Sequence, residues 1–208
     1  MSPSAVRKRG ANHGNTREAQ RLRTRARVFD AALAEIARSG LADADVTAIA
    51  NAAGVVRGTF YFHFPTKEHV LVELERNEEI KIVADLDGVD VENNDMESVL
   101  SALVRGVLAA ERRLGPVLFR EMLALHFSST RPIEDELTQH PLAEFLIEVL
   151  ANAQAVGRVV EDTHAAELAT FVLTGLFALL ATGVHDSETS DAVLSRYITT
   201  IVHGMETR

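Results

Sequence analysis

Residues 47–67 read TAIANAAGVVRGTFYFHFPTK, and the fold follows from how this stretch is parsed. Val46, Ile49, Ala50 and Ala53 fall at i, i+3, i+4 and i+7, which is one face of a helix. Gly54 comes just past that face, where a helix end calls for a residue that tolerates the left-handed backbone conformation. A second short helix is predicted from about Arg57 to Phe64, with Phe60 and Phe64 on its buried side. Two short helices joined by a tight glycine-containing turn make a helix-turn-helix. In that motif the second helix enters the DNA major groove and the first crosses the backbone.

The outward residues of the second helix suit that task. Arg57 can pair with guanine edges or with phosphate, and Thr59 can donate or accept on either. Gly58 withholds a side chain where the helix start must come close to a duplex. Tyr61, His63 and Lys67 add donors for phosphate. Thr47 and Phe62 complete the candidate DNA-binding set. The plain alternative for so short an amphipathic pair is an ordinary surface hairpin of helices.

The longer run IANAAGVVRGTFYFHFPTKEHVL, residues 49–71, resembles the DNA-binding signature of TetR-family transcriptional regulators. That signature combines an Ile-Ala pair, Ala-Gly-Val, a Gly-Thr-aromatic-Tyr string, His-Phe and Pro-Ser/Thr-Lys. Two positions depart from it. Val56 stands where the family usually has a small hydroxyl residue, and valine cannot cap a helix, a loss of roughly 1 kcal/mol in typical cases. Asp45 stands where threonine is common; it caps well but brings a negative charge near the phosphate side. The resemblance implies an all-α fold: an N-terminal three-helix helix-turn-helix domain, then a C-terminal helical domain for ligand binding and dimerisation. It also implies a homodimeric, cytoplasmic repressor that leaves a palindromic DNA operator when a small lipophilic effector binds.

Charge supports a division of labour. Up to Lys67 there are eleven Lys/Arg against five Asp/Glu; beyond it there are ten against twenty-five. A basic head can neutralise phosphates while an acidic body stays off the duplex, although solvated helix faces alone would also account for the acidic part. Cysteine is absent, which excludes a disulfide framework and a Cys-based zinc site. The basic start lacks the apolar core of a secretory signal.

In chain order, residues 1–20 are polar and basic and are expected to form a flexible arm in which Arg7, Lys8 and Arg9 could touch DNA. The head domain is expected over 21–67 and the effector and dimerisation domain over 68–208. The first helix is predicted from Arg21 to Arg38, stopped by Gly40, with Arg21, Arg23, Arg25 and Arg27 crowding a helix start that disfavours positive charge. Thr66 can cap a helix running to about Ala84, and Asp87 to Asn94 read as a loop. Helical spacing resumes from Asp95 to Leu114 and breaks at Gly115-Pro116. Further helices are predicted over 116–128, over 133–155 with an interruption at His140-Pro141, and over 189–205.

Leu168 to Val184 is seventeen residues without a charge. That is short for a membrane span, which needs about 20 apolar residues, so the run is read as a helix buried against its own core and a second subunit. By resemblance to the family's dimerisation pair, Phe171, Leu176, Leu179, Leu194, Tyr197, Ile198 and Ile201 are expected at a twofold interface. The effector cavity is expected among Leu103, Phe119, Met122, His126, Phe145 and Phe171, with His126 as a polar contact. With two Tyr and no Trp, an aromatic cage for a bulky cation is improbable, and a neutral or weakly acidic lipophile is expected.

No glycine-rich phosphate loop, metalloprotease helix or nucleophile elbow is present in the sequence, so no enzyme, metal site or cofactor is expected. His140 and Glu144 share a helix face but bring no further ligand. A regulator of the same family that activates, or that acts without a small effector, is the alternative. An enzyme on a helical bundle and a nonspecific architectural DNA binder are the rivals from other classes.

Overall fold

The computed structural model describes residues 11–86, 95–132, 140–182 and 187–206. The described residues form eight helices: α1 Ala11–Asp43, α2 Val46–Ala52, α3 Arg57–His63, α4 Lys67–Leu86, α5 Met96–His126, α6 Pro141–Ala155, α7 Ala165–Thr182 and α8 Ser187–Met205. The all-α class is as the sequence implied. The chain divides into two compact units, Met1–Val70 and Leu71–Arg208. Helix α4 begins in the first and continues through the second.

In the first unit, α1 is longer than the sequence suggested. Ala11 to Gln20, expected as part of an arm, is helical, while Arg7, Lys8 and Arg9 lie outside the described residues. A surface helix needs no apolar stripe if it extends one that is already packed, and Arg21 adds a pair with Glu18 at 2.9 Å. Gly40 does end the regular part of α1: its φ of 79° and ψ of 164° break the helix there. Val28, Ala32 and Ile36 of α1 close with Ile49, Phe60 and Phe64 into a core from which solvent is excluded. Phe29 stacks on Phe64 at 6.0 Å between ring centres.

In the second unit, α5 is broken at Gly115, where φ is 77°, so that Pro116 starts a fresh helical run without a missing hydrogen bond. The predicted loop 87–94 and residues 133–139 of the predicted helix 133–155 lie outside the described residues; α6 starts at Pro141, where proline's fixed φ is tolerated. Helices α6 and α7 pack through Leu142, Leu146 and Leu150 on one side and Leu168, Val172 and Leu176 on the other, all buried. Glycine permits two close approaches. A Cβ on Gly106 would lie 2.9 Å from Ile82 Cγ2 of α4, and one on Gly175 would lie 2.5 Å from the Tyr197 hydroxyl. That hydroxyl donates to the Val172 carbonyl at 2.6 Å, and burial pushes its pKa up to about 12.

Helix α7 passes the length and hydropathy test for a membrane span, with 18 residues at a mean hydropathy of 1.8. At about 1.5 Å per residue it is roughly 27 Å long, and its apolar face is taken by its own unit: Leu168, Ala169, Val172, Leu173, Leu176 and Phe177 are buried.

Candidate nucleic-acid interface and effector pocket

Local chemistry fixes the geometry of α2 and α3. Asp45 caps α2, its carboxylate accepting from Thr47 N at 2.8 Å. At the other end Gly54, with φ of 66°, lets its own N–H reach Asn51 O at 3.1 Å and lets Val55 N reach Ala50 O at 2.9 Å. This pair of bonds satisfies two carbonyls that the helix end would otherwise orphan. Val56 at the start of α3 makes no side-chain cap bond, as its chemistry dictates. Phe60 is the buried residue of α3, and Phe64 follows it into the core.

The opposite face of α3 is open. Arg57, Gly58, Tyr61 and Phe62 are exposed, Thr59 and His63 are half-buried, and Thr47 is exposed on α2. Arg57 Nη2 donates to the Tyr61 hydroxyl at 3.2 Å with its guanidinium 5.7 Å from that ring, so the two side chains brace one another. His63 sits near other positive groups: burial first, then Arg25 and Arg21, lower its pKa. Arg25 lies 4.5 Å over the Phe64 ring. The exposed Phe62, 70 % accessible, is an apolar group with no core to occupy.

Lys67 has a role the sequence did not show. Lys67 Nζ donates to the carbonyls of Ala42 and Ala44 at 2.9 and 3.0 Å. It therefore ties the end of α1 to the start of α4, with one ammonium hydrogen left for an outside acceptor. Gly58 faces open space, for a Cβ there would meet nothing within 4 Å. A glycine inside a helix is disfavoured against alanine by about 0.5–1 kcal/mol, and none of the described residues crowds this position.

The second unit holds a narrow pocket with a cavity volume of about 20 Å³, lined by Ile82, Val107, Phe119, Met122, Leu123 and Phe177 on its apolar side. It admits little more than water. Of the expected effector residues, Phe119 and Met122 line it. Leu103 is fully buried in the core and Phe145 is half-buried. Phe171 is 61 % exposed, so it faces outward from α7 rather than into the pocket.

The polar side of the pocket was missed by the sequence reading: Glu75, Glu78 and Glu79 of α4 all line it, and all three are buried. Glu75 accepts from His126 Nδ1 at 2.8 Å and Arg131 Nη1 at 2.6 Å. Burial pushes its carboxyl pKa up, but His126 and Arg131 together hold it below the usual value. Glu78 accepts from Lys81 Nζ at 2.6 Å and Arg113 Nη2 at 2.8 Å. Glu79 pairs with neither a Lys nor an Arg; its neighbour is His140 Nδ1 at 3.7 Å, whose pKa Glu79 raises. His126, expected to await a ligand, is thus occupied by Glu75, and its ring packs edge-on to Phe177 at 5.0 Å.

The residues expected at a subunit interface separate into two groups. Leu176, Leu194 and Ile198 are buried inside their own unit. Leu179, Tyr197 and Ile201 are half-buried and Phe171 is exposed. The outward strip of α7 also carries Thr170, Thr174, Ala181 and Thr182, with no charge from Leu168 onward.

Residues 28–74 match the sequence model of a family described as bacterial regulatory proteins, tetR family. The chain is 30% identical over 147 residues to the HTH-type transcriptional repressor KstR of Mycobacterium tuberculosis, a match spanning 71% of this chain and 65% of that protein. The chain therefore spans slightly under two thirds of that relative's length. Among solved structures it resembles Thermus thermophilus FadR, a repressor crystallised with lauroyl-CoA (TM-score 0.69, 21% identity, 88% of this chain and 96% of that one). It also resembles a regulator from Shewanella sp. PV-4 (TM-score 0.65, 20% identity, 89% and 99% covered). At those identities the structural likenesses speak for the fold.

Proposed function

We propose that the chain is a regulator of the TetR family, whose model it matches over residues 28–74, and that it is a homodimeric, cytoplasmic transcriptional repressor released from a palindromic operator by a small lipophilic ligand. That family, and the repressor it resembles, are regulators rather than enzymes. The observation that carries the DNA-binding half is the open face of α3, where Gly58 leaves space that an outside body can enter, flanked by Arg57 and Thr59. Arg57 and Thr59 read bases in part, whereas Thr47, Tyr61, His63 and the remaining hydrogen of Lys67 hold phosphates. Phe62 packs against the sugar edge.

Dimerisation rests on the uncharged outer strip of α7 around Phe171. A helix face with no charge and an exposed phenylalanine is stabilised by cover, and a second copy of α7 and α8 supplies it. Two recognition helices about 34 Å apart are needed to reach successive major grooves, which one copy cannot provide. Ligand release follows from the narrowness of the pocket. An effector must widen it against α4, and α4 begins in the DNA-binding unit. A ligand that binds the widened state better shifts the population away from the DNA-competent one.

The test is a gel shift at fixed salt with the promoter beside the protein's own gene against random duplex of equal length. Tight binding to the promoter alone supports a specific regulator. Equal affinity for both overturns it in favour of an architectural binder.

A further inference from the structure

The pocket's three carboxylates are not equivalent. Both oxygens of Glu75 and both of Glu78 accept short bonds of 2.6–2.8 Å, from Arg131 and His126 Nδ1 and from Lys81 and Arg113 respectively. Such bonds are the strong kind and leave little for a ligand to improve. Glu79 is as deeply buried, with 7% of its side chain accessible. Its only contacts among the described residues are long: Oε2 accepts from Leu142 N at 3.4 Å, and Oε1 lies 3.7 Å from His140 Nδ1. A carboxylate can accept about four hydrogen bonds, and one left undersatisfied in a dry setting is costly. The cations that balance Glu75 and Glu78 do not line the pocket, so the surface a ligand meets is apolar wall plus carboxylate oxygen.

We infer that Glu79 is the recognition group for the effector, and that the effector is a lipophile with a hydrogen-bond-donating head, a hydroxyl or an ammonium, rather than a carboxylic acid or an ester. This rests on the pocket being the effector site. The apolar body lies against Phe119, Met122, Leu123 and Phe177, and the head donates to Glu79 Oε1. An anionic head at the same place faces Glu79, and among the described residues no Lys or Arg lines the pocket to answer it. An ester brings only acceptors to a site that already has one too many. The weakly acidic ligand expected from the scarcity of tyrosine and tryptophan is thereby disfavoured, because the carboxylates, not the aromatics, set the polarity of the pocket.

The experiment titrates the full-length protein by calorimetry with four probes of one chain length: octan-1-ol, octylamine, octanoate and methyl octanoate. The alcohol and the amine should bind at least about tenfold more tightly than the acid and the ester, the worth of one hydrogen bond to a charged group. Glu79→Met should abolish that preference by weakening the alcohol and the amine to the level of the ester. Glu79→Gln keeps an acceptor without the charge and should retain the alcohol while weakening the amine. Equal or tighter binding of octanoate or methyl octanoate to the wild type overturns the inference but leaves the pocket as effector site. So does unchanged alcohol and amine binding in Glu79→Met. Failure of all four probes to bind overturns both.

Discussion

The two units put their chemistry to opposite use. In the first, the charged and aromatic groups of α3 stand outward and the local sequence explains every bond that shapes them: the Asp45 cap, the Gly54 turn, the Phe60–Phe64 anchor. In the second, three carboxylates of α4 are turned inward, and each has a contact far along the chain. Glu78 meets Arg113, Glu75 meets His126 and Arg131, and Glu79 meets the backbone of Leu142. A surface built from neighbours is presented to a partner that varies little, the phosphate backbone. A pocket built from distant residues can be altered one wall at a time, which suits recognition of a particular small molecule.

The harshest way to break this comparison is to remove the anchor of α3. Phe60 is fully buried, and Phe60→Ala should destabilise the first unit by about 3–5 kcal/mol. Duplex binding should vanish in the gel shift while calorimetric binding of octan-1-ol to the second unit survives. Loss of both would show that the two units do not keep their functions apart. A milder cut falls in the second unit. Arg131→Ala strips Glu75 of its short partner, and should lower stability at fixed protein concentration by about 2 kcal/mol in urea denaturation. A change under 0.5 kcal/mol would mean that His126 alone satisfies Glu75.

The smallest effect sharpens the comparison most. Gly58→Ala should stabilise the protein by about 0.5–1 kcal/mol, since the added methyl meets nothing and alanine is the better helix former. The same methyl should weaken promoter binding at least tenfold in the gel shift. Gain of stability with unchanged DNA affinity would remove Gly58 from the interface.

What the sequence made legible follows the same line. The helix-turn-helix, its cap, the breaks at Gly40 and Gly115 and the start at Pro141 are decided within a few residues, and so could be read. Glu75, Glu78 and Glu79 stand three and four apart on one helix, which reads as a solvated face. Only Arg113, Arg131 and Leu142, 35 to 63 residues onward, turn it into a pocket wall. Leu176 and Phe171, both expected at the interface, part company for a related reason: one is buried and the other exposed. An all-apolar helix such as α7 has no polar stripe to mark its outer side, so periodicity alone cannot tell which leucine faces in. The helical run Ala11–Gln20 escaped because its sequence carries no large apolar residue to mark a helix face.

The glycine at 106 sets how closely α4 and α5 can lie. Ile82 rests against α5 there, closer than any side-chain-bearing residue would allow. Along α4, Glu79 lies about 4.5 Å from Ile82, at roughly 1.5 Å per residue. The width of the pocket beside Glu79 is therefore held by the absence of one methyl group: a larger residue at 106 would push the two helices apart within a turn of the carboxylates.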